Sequence, residues 1–404
     1  MTSRTLVSSG RAEWLGEPKR LVVKVGSGVL SRGGSGVHRE TIRGLAACLA
    51  RLASRKIEPI LVTSGAILAG MEALGLHERP RDLPLKQAAA AVGQSHLMWA
   101  YEEALHPCGY RAAQILLTQE DLRNRGRYLN ARNTLFTLLG MQVIPVVNEN
   151  DTVAVREIQF GDNDTLSALV AQLAQADLLI ILTDTAGVFT ADPHRDPAAR
   201  LIPLVRPQDA IGSFCAEDTG NAASIGGMTS KVQAARRAAL AGIPTVVASG
   251  READTIEAIL RGEEVGTFFI PSRTRMRSRQ RWLAFASQPR GGILVDAGAK
   301  EALVGGGKSL LPSGICGTQR TFRAGDVVSL LDGEGREFGR GLANYGRDDV
   351  EQIRGLRSDA IAGALGVKSY DEVVHRDNLV ILEAPAVDGG PLTAALPEGG
   401  SHGL

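Results

Sequence analysis

Four cysteines, Cys48, Cys108, Cys215 and Cys316, lie far apart and form no Cys-x-x-Cys pair. That spacing excludes an obvious zinc cluster or disulfide framework and fits a reduced, cytosolic protein. Net charge is equally scarce: a formal balance of +1 gives no global pull toward nucleic acid or an anionic membrane. The longest strongly apolar run, residues 178–182, falls far short of a membrane span. Arg4 and Arg11 are joined by no continuous apolar core, so no signal peptide is read, and residues 1–18 are expected to form a loose, flexible extension. What remains is a chain of 404 residues, long enough for two or three domains that each bury a core.

The most informative stretch is 148–171. It reads Asn-Glu-Asn-Asp-Thr-Val, seven further residues, then Gly-Asp-Asn-Asp-Thr-Leu-Ser-Ala-Leu-Val-Ala. Residues 142–147 (QVIPVV) read as a buried strand running into the first of these acidic, amide-rich loops. Leu166, Leu169, Val170 and Leu173 fall at i, i+3, i+4 and i+7, which predicts an amphipathic helix leaving the second. Asp151, Asn163 and Asp164 are thereby gathered where a strand ends and a helix starts, the edge at which open α/β sheets bind ligands. Taken alone, the same residues also suit a helix cap at Asp164 and a solvated turn over 148–151.

Short apolar strands are predicted at 20–25, 59–63, 112–117, 142–147, 178–183 and 243–248, with helical segments between them. Ile42, Leu45, Ala46 and Leu49 keep one such helical period. This alternation predicts an α/β domain over 19–270, a mostly parallel sheet covered on both faces. Arg273, Arg275, Arg277, Arg279 and Arg281 then alternate through a segment expected, over 271–289, to be a basic linker. Extended chain would put all five on one face, so a solvated linker and an anion-binding arm are both open readings. From 290 to 382, short strands broken by glycine turns predict a small barrel-like β domain, and 383–404 reads as a disordered tail.

Lys24 ends the first strand just before Gly26-Ser27-Gly28, where glycine N–H groups can cradle a phosphate beside a compact positive charge. Two decoys fail: Ser31 stands where a dinucleotide loop needs its third glycine, and Ala302 where a P-loop ending at Gly307-Lys308-Ser309 needs its first. Ser64-Gly65-Ala66 can present N–H groups and a hydroxyl to a small substrate, or serve as a plain strand-to-helix turn. Thr183 and Asp184 end the most apolar strand, where an acid can orient a lysine, contact a nucleotide or form an Asx turn. Ser230 and Gln233 have capping-box spacing, which predicts Lys231 in the first turn of a helix. A lysine there is unfavourable unless an anion is bound.

In order, VVKVGSGVL, VTSGAI, VVNENDTV, FGDNDTLSALVA, LTDTAGVFTADP and GGMTSK resemble the signatures of the amino acid kinase family, over about 19–270. Within it they are most similar to the branch that phosphorylates the γ-carboxylate of L-glutamate with ATP and Mg²⁺, opening proline synthesis. VDAGA, GKSLLPSGI and GDVVSL are similar to a PUA domain, which that branch often carries in bacteria. The resemblance implies an αβα sandwich (the amino acid kinase fold) followed by a small β-barrel-like domain. By matching motif, it implies that Lys24 and Lys231 neutralise the transferring phosphoryl group and that Asp164 organises them. Ser64, Asp151 and Asn163 would bind the amino acid; Lys24, Thr183, Asp184, Ile225, Gly226, Gly227, Met228, Thr229, Ser230 and Lys231 would bind ATP, with Gly26, Ser27 and Gly28 as the phosphate loop. No metal-ligating side chain is implied, the metal being held mainly by ATP phosphates and water. Ile225 replaces the family's usual threonine, which removes a hydroxyl near the nucleotide and leaves backbone contacts. The resemblance further implies inhibition by proline, a homo-oligomer (dimer or tetramer), a cytoplasmic location and hand-off of the acyl phosphate to glutamate-5-semialdehyde dehydrogenase.

None of the seven histidines lies in these motifs, which suits chemistry without a strong general base. Three rival readings remain. A kinase for acetylglutamate, aspartate, carbamate or a nucleoside monophosphate shares the fold, but the NEND loop and the C-terminal module argue against it. An RNA-binding protein would use the arginine run and the PUA-like segment, against which Asp326, Asp332, Glu334, Glu337, Asp348 and Asp349 dilute any basic patch. An inactive relative is opposed by the intact lysines and aspartates.

Overall fold

In a computed structural model, residues 11, 14–15, 18–31, 36–153, 163–193, 195–207, 209, 227–252, 254–272, 280, 282–366 and 370–382 are described. The chain divides into two compact units between Gln288 and Pro289. In the first unit, β1 (Arg20–Val25) leads into α1 (Ser27–Ser31) and α2 (Arg39–Ser54), and β2 (Glu58–Thr63) into α3 (Ala66–Leu74) and α4 (Leu83–Leu105). β3 (Ala112–Leu117) is followed by α5 (Gln119–Arg123) and α6 (Arg125–Gly140), and β4 (Ile144–Glu149) by α7 (Asn163–Leu173). Then come β5 (Leu178–Thr183), β6 (Leu204–Val205), α8 (Met228–Leu240), β7 (Thr245–Ser249), α9 (Thr255–Leu260) and β8 (Thr267–Phe269).

The sheet order is β3-β4-β2-β1-β5-β7-β8-β6, and every neighbouring pair is parallel except β7–β8. A parallel sheet with both faces covered explains the unbroken apolar runs: β4 and β5 are buried throughout, and β1 and β2 beyond their first residue. Leu21, Val23 and Val25 enter the core shared with α2 and α4. Lys24, one step out of phase, points to the opposite face, where α7 lies. α3 and α4 touch backbone to backbone: a Cβ on Gly93 would stand 1.7 Å from Ala66 O, and one on Gly70 1.7 Å from Ala89 O. That contact fixes the start of α3, immediately after Ser64 and Gly65.

Several elements differ from the sequence reading. β4 begins at Ile144 because Gln142 takes a left-handed turn (φ 58°) closing α6, and it runs on to bury Asn148 and Glu149. α7 is buried on every face from Leu166 to Leu173 rather than amphipathic, since the sheet covers one side and α8 and residues 282–286 cover others. The extension expected to be loose is anchored at Arg11 and Leu15, both buried, and at Trp14, packed against the core. Within the expected linker, Trp282, Leu283 and Ala284 are buried in the first unit. Trp282 Nε1 donates to Leu122 O at 3.1 Å, and Arg125 lies over both the Tyr128 and Trp282 rings. The alternating arginines 273–279 and 281 and the tail 383–404 lie outside the described residues.

The second unit is a five-stranded sheet, β10 (Ile315–Gln319), β9 (Gly291–Val295), β11 (Val327–Leu331), β12 (Glu337–Leu342) and β13 (Leu379–Ile381) in spatial order. β9 and β11 are parallel and the other pairs antiparallel. Its own core joins Ile293, Val295, Val328, Leu330 and Phe338 to Leu303, Val350 and Ile361 from the short helices α10 (Ala297–Val304), α11 (Arg347–Ile353) and α12 (Ile361–Leu365).

Candidate active site

β1 has β2 on one side and β5 on the other, so chain order reverses across it. Such a switch point opens a crevice at the carboxyl ends of the strands. The registers Val25–Thr63, Val62–Val147 and Thr183–Ser249 bring the ends of β1, β2, β4, β5 and β7 to that edge. Every sequence-predicted site residue that the structure describes lies on or just beyond these strand ends, or on the first turns of the helices facing them.

Asp164, in the first turn of α7, is fully buried and Lys24 is 2 % exposed. Lys24 Nζ pairs with Asp164 Oδ1, while Lys231 Nζ lies 3.2 Å from Oδ2 and Ser230 Oγ donates to Oδ2 at 2.9 Å. Buried charge is tolerated when paired in this way. Both ammonium groups thus face the two oxygens of one buried carboxylate. Gly227 is the N-cap of α8, so Ser230 sits inside the first turn and its hydroxyl serves Asp164. The expected capping box from Ser230 to Gln233 is therefore not the helix start; a tertiary carboxylate outweighs the local capping pattern. Lys231 does occupy the opening of the helix, among Gly227, Met228 and Thr229. Ile225 and Gly226 lie outside the described residues.

A second cluster adjoins the first through the neighbouring residue. Asn163 Nδ2 donates to Thr63 O at 2.6 Å, Asn148 Oδ1 at 2.7 Å and Ser64 Oγ at 3.1 Å. Asn163 Oδ1 and Asn148 Nδ2 are buried with no hydrogen-bond partner among the described residues, leaving one acceptor and one donor for a small polar ligand. Thr63 Oγ1 lies 2.8 Å from Tyr101 OH, whose burial on α4 pushes its phenol up. Sequence reading missed both Asn148 and Tyr101. Asn148 opens the NEND motif at a strand end and was legible there; Tyr101 carries no local signal. Asp151 lies just beyond β4, within electrostatic reach of Arg79. Burial pushes its carboxyl up to about 6, against the opposing pull of Arg79.

On the other side, Gly26-Ser27-Gly28 turns directly into α1, with Val29 N and Leu30 N both donating to Gly26 O at 3.2 Å. Ser27 and Gly28 are exposed. A Cβ on Gly26 would stand 3.5 Å from Lys24 Nζ, and one on Gly28 3.5 Å from Asp184 Oδ2, so the glycine turn runs between the amine and that carboxylate. Thr183 Oγ1 donates to Asp184 Oδ1 at 3.0 Å, and Asp184 itself is exposed. Among the described residues no group of three or more His, Cys, Asp or Glu forms a metal-binding cluster, and no helix is long and apolar enough to cross a membrane.

The amino acid kinase family model matches residues 19–249, and the PUA domain model matches 291–365. The chain is 48 % identical over 371 residues to the glutamate 5-kinase of Syntrophotalea carbinolica, covering 92 % of this chain and 99 % of that one. To the glutamate 5-kinase of Moorella thermoacetica it is 49 % identical over 368 residues, 91 % of this chain and 97 % of that one. UMP kinase of Bacillus anthracis shows a looser likeness, with TM-score 0.43 and 17 % identity over 63 % of this chain and 96 % of that one.

Proposed function

The chain belongs to the amino acid kinase family and, within it, to the glutamate 5-kinases, and on that premise we propose how its residues transfer the γ-phosphoryl group of ATP to the γ-carboxylate of L-glutamate. The observation that carries the assignment of roles is the buried Lys24–Asp164–Lys231 cluster, joined through Asn163 to an amide cluster with unfilled donor and acceptor atoms.

The acceptor needs no general base, because a γ-carboxylate is ionised at neutral pH. One of its oxygens forms a bond to Pγ while the bond from Pγ to the β–γ bridging oxygen breaks, and ADP leaves with the electron pair. No proton moves. Catalysis is then positioning and charge neutralisation. Lys24 and Lys231 approach the transferring group, held by the two oxygens of Asp164, whose position Ser230 fixes. The glycine turn at Gly26–Gly28 and the N–H groups opening α8 receive phosphate oxygens, with Thr183 and Asp184 on the nucleotide side. Ser64, Asn163 and Asn148 orient the amino acid, and Asp151 receives its ammonium.

The donor set fits a Mg²⁺ held chiefly by ATP phosphates: Asp164 is taken up by two lysines and a hydroxyl, while Asp184 is exposed beside the glycine turn. When bound, the ion would neutralise phosphate charge. The same reading makes the protein a cytoplasmic homo-oligomer, inhibited by proline at the amino-acid site, whose acyl phosphate passes to a reductase.

The test is ATP- and Mg²⁺-dependent hydroxamate formation in hydroxylamine, comparing glutamate, acetylglutamate and aspartate. Signal with glutamate alone, suppressed by proline, is expected. Signal only with another acceptor would keep the chemistry and move the substrate.

A further inference from the structure

Arg11 is 1 % exposed although it lies in a segment whose sequence suggests a loose extension. Its guanidinium donates to Pro203 O at 2.6 Å, Gly266 O at 3.0 Å, Val265 O at 3.2 Å and Glu263 O at 3.3 Å, and it lies over the Phe268 ring, 5.7 Å from the centroid. These carbonyls belong to the segment entering β6 and to the turn entering β8. Pro203 O also accepts Phe268 N at 2.9 Å, so one cation ties together both strands of this sheet edge. Five guanidinium N–H groups in a rigid fork suit such a task; a single ammonium cannot span the same four acceptors.

That edge seats the loop leaving β5. Val188 N donates to Thr267 Oγ1 at 2.8 Å, and Ile202 N donates to Val188 O at 2.8 Å. A Cβ on Gly187 would come within 2.8 Å of Thr267 Oγ1 and of Leu201 Cδ1, so the loop lies directly on β8. The loop begins at Thr183 and Asp184, and Asp184 faces Gly28 across the crevice. We infer that Arg11 is a positioning residue for the nucleotide half of the site. Its guanidinium fixes the β6–β8 corner, the corner fixes Gly187 and Val188, and these fix Asp184 opposite the glycine turn. Acceptor binding is independent of it, because Ser64, Asn148 and Asn163 are held by β2, β4 and α7. The inference rests on the reading above that this half receives ATP.

Arg11→Lys keeps the charge and loses the fork. Thr267→Val keeps the shape and removes the acceptor of Val188 N. For both variants and wild type, the Kd of a non-hydrolysable ATP analogue is measured by calorimetry, glutamate KM by hydroxamate formation, and stability by thermal unfolding. Both variants should bind the analogue roughly three- to tenfold more weakly, the scale of one hydrogen bond, with glutamate KM unchanged. Unchanged analogue affinity with lowered melting, or equal weakening of nucleotide and glutamate, would reduce Arg11 to a general staple and overturn the inference. So would a wild type that fails to bind the analogue. Wild type that binds it yet makes no hydroxamate from glutamate would strike at the acceptor reading and leave the positioning test intact.

Discussion

Replacing Asp164 with asparagine removes one negative charge from the centre of the site without changing its shape. Lys24 Nζ and Lys231 Nζ would then share a pocket in which Lys24 is 2 % exposed and Asp164 is fully buried, so water cannot take over the carboxylate's task. Deleting one member of a buried ion cluster costs about 3–5 kcal/mol. For a unit of this size that is a fall in Tm of roughly 5–8 °C. Turnover should drop about 10²–10³-fold, the scale for losing a preorganised charge-stabilising arrangement. The triphosphate of ATP offers the missing negative charge, so ATP should raise the Tm of the variant by more than it raises that of wild type. Differential scanning fluorimetry with and without ATP, run beside hydroxamate turnover, reads all three effects. A variant that melts with wild type and turns over at the wild-type rate would refute the reasoning. One that melts lower but gains no extra protection from ATP would show that the lysines do not face phosphate.

Lys24→Ala and Lys231→Ala should each lower kcat about 10²–10³-fold; wild-type kcat in both would remove their role. Burial lifts the Asp151 carboxyl to about 6, above its ordinary 3.8, so the free protein carries that charge only above about 6. A substrate ammonium binds the ionised form, hence glutamate KM should rise as pH falls through 6, approaching about tenfold per unit, and Asp151→Asn should flatten that profile while weakening glutamate throughout. Stability runs the opposite way: burying the neutral acid favours the fold below the unfolded pKa, and that contribution fades as pH rises through 6. Gly93→Ala would place a methyl 1.7 Å from Ala66 O, forcing α3 from α4 at a cost of about 1–3 kcal/mol, visible in the urea midpoint and in glutamate KM through the adjoining Ser64 turn.

What the sequence disclosed was whatever local chemistry decides. Lys24 is legible because a lone lysine in a run of valines needs a reason, and Asn163 and Asp164 because amides and acids stand at a helix start. The strand ends were legible from apolar runs buried on both faces. Tertiary contacts decided the rest. Ser230 has a capping pattern and spends its hydroxyl on a carboxylate 66 positions away. α7 has an amphipathic period, yet its remaining faces are covered by α8 and by residues near Trp282, far along the chain. Arg11 and Trp282 lie in segments whose polarity suggests solvent, and each is buried by acceptors that no local window contains.

The adjacency of Asn163 and Asp164 explains why two clusters act as one site. Consecutive residues on a helix project about 100° apart. The first turn of α7 therefore sends an amide toward Ser64 and Asn148 and a carboxylate toward Lys24 and Lys231. With the roles proposed above, the amino acid and the phosphoryl group would be aligned by one buried helix rather than by two independent loops. Such a device suits a reaction whose barrier is met by alignment and charge, because a shift of α7 would move both halves together and preserve the angle between them.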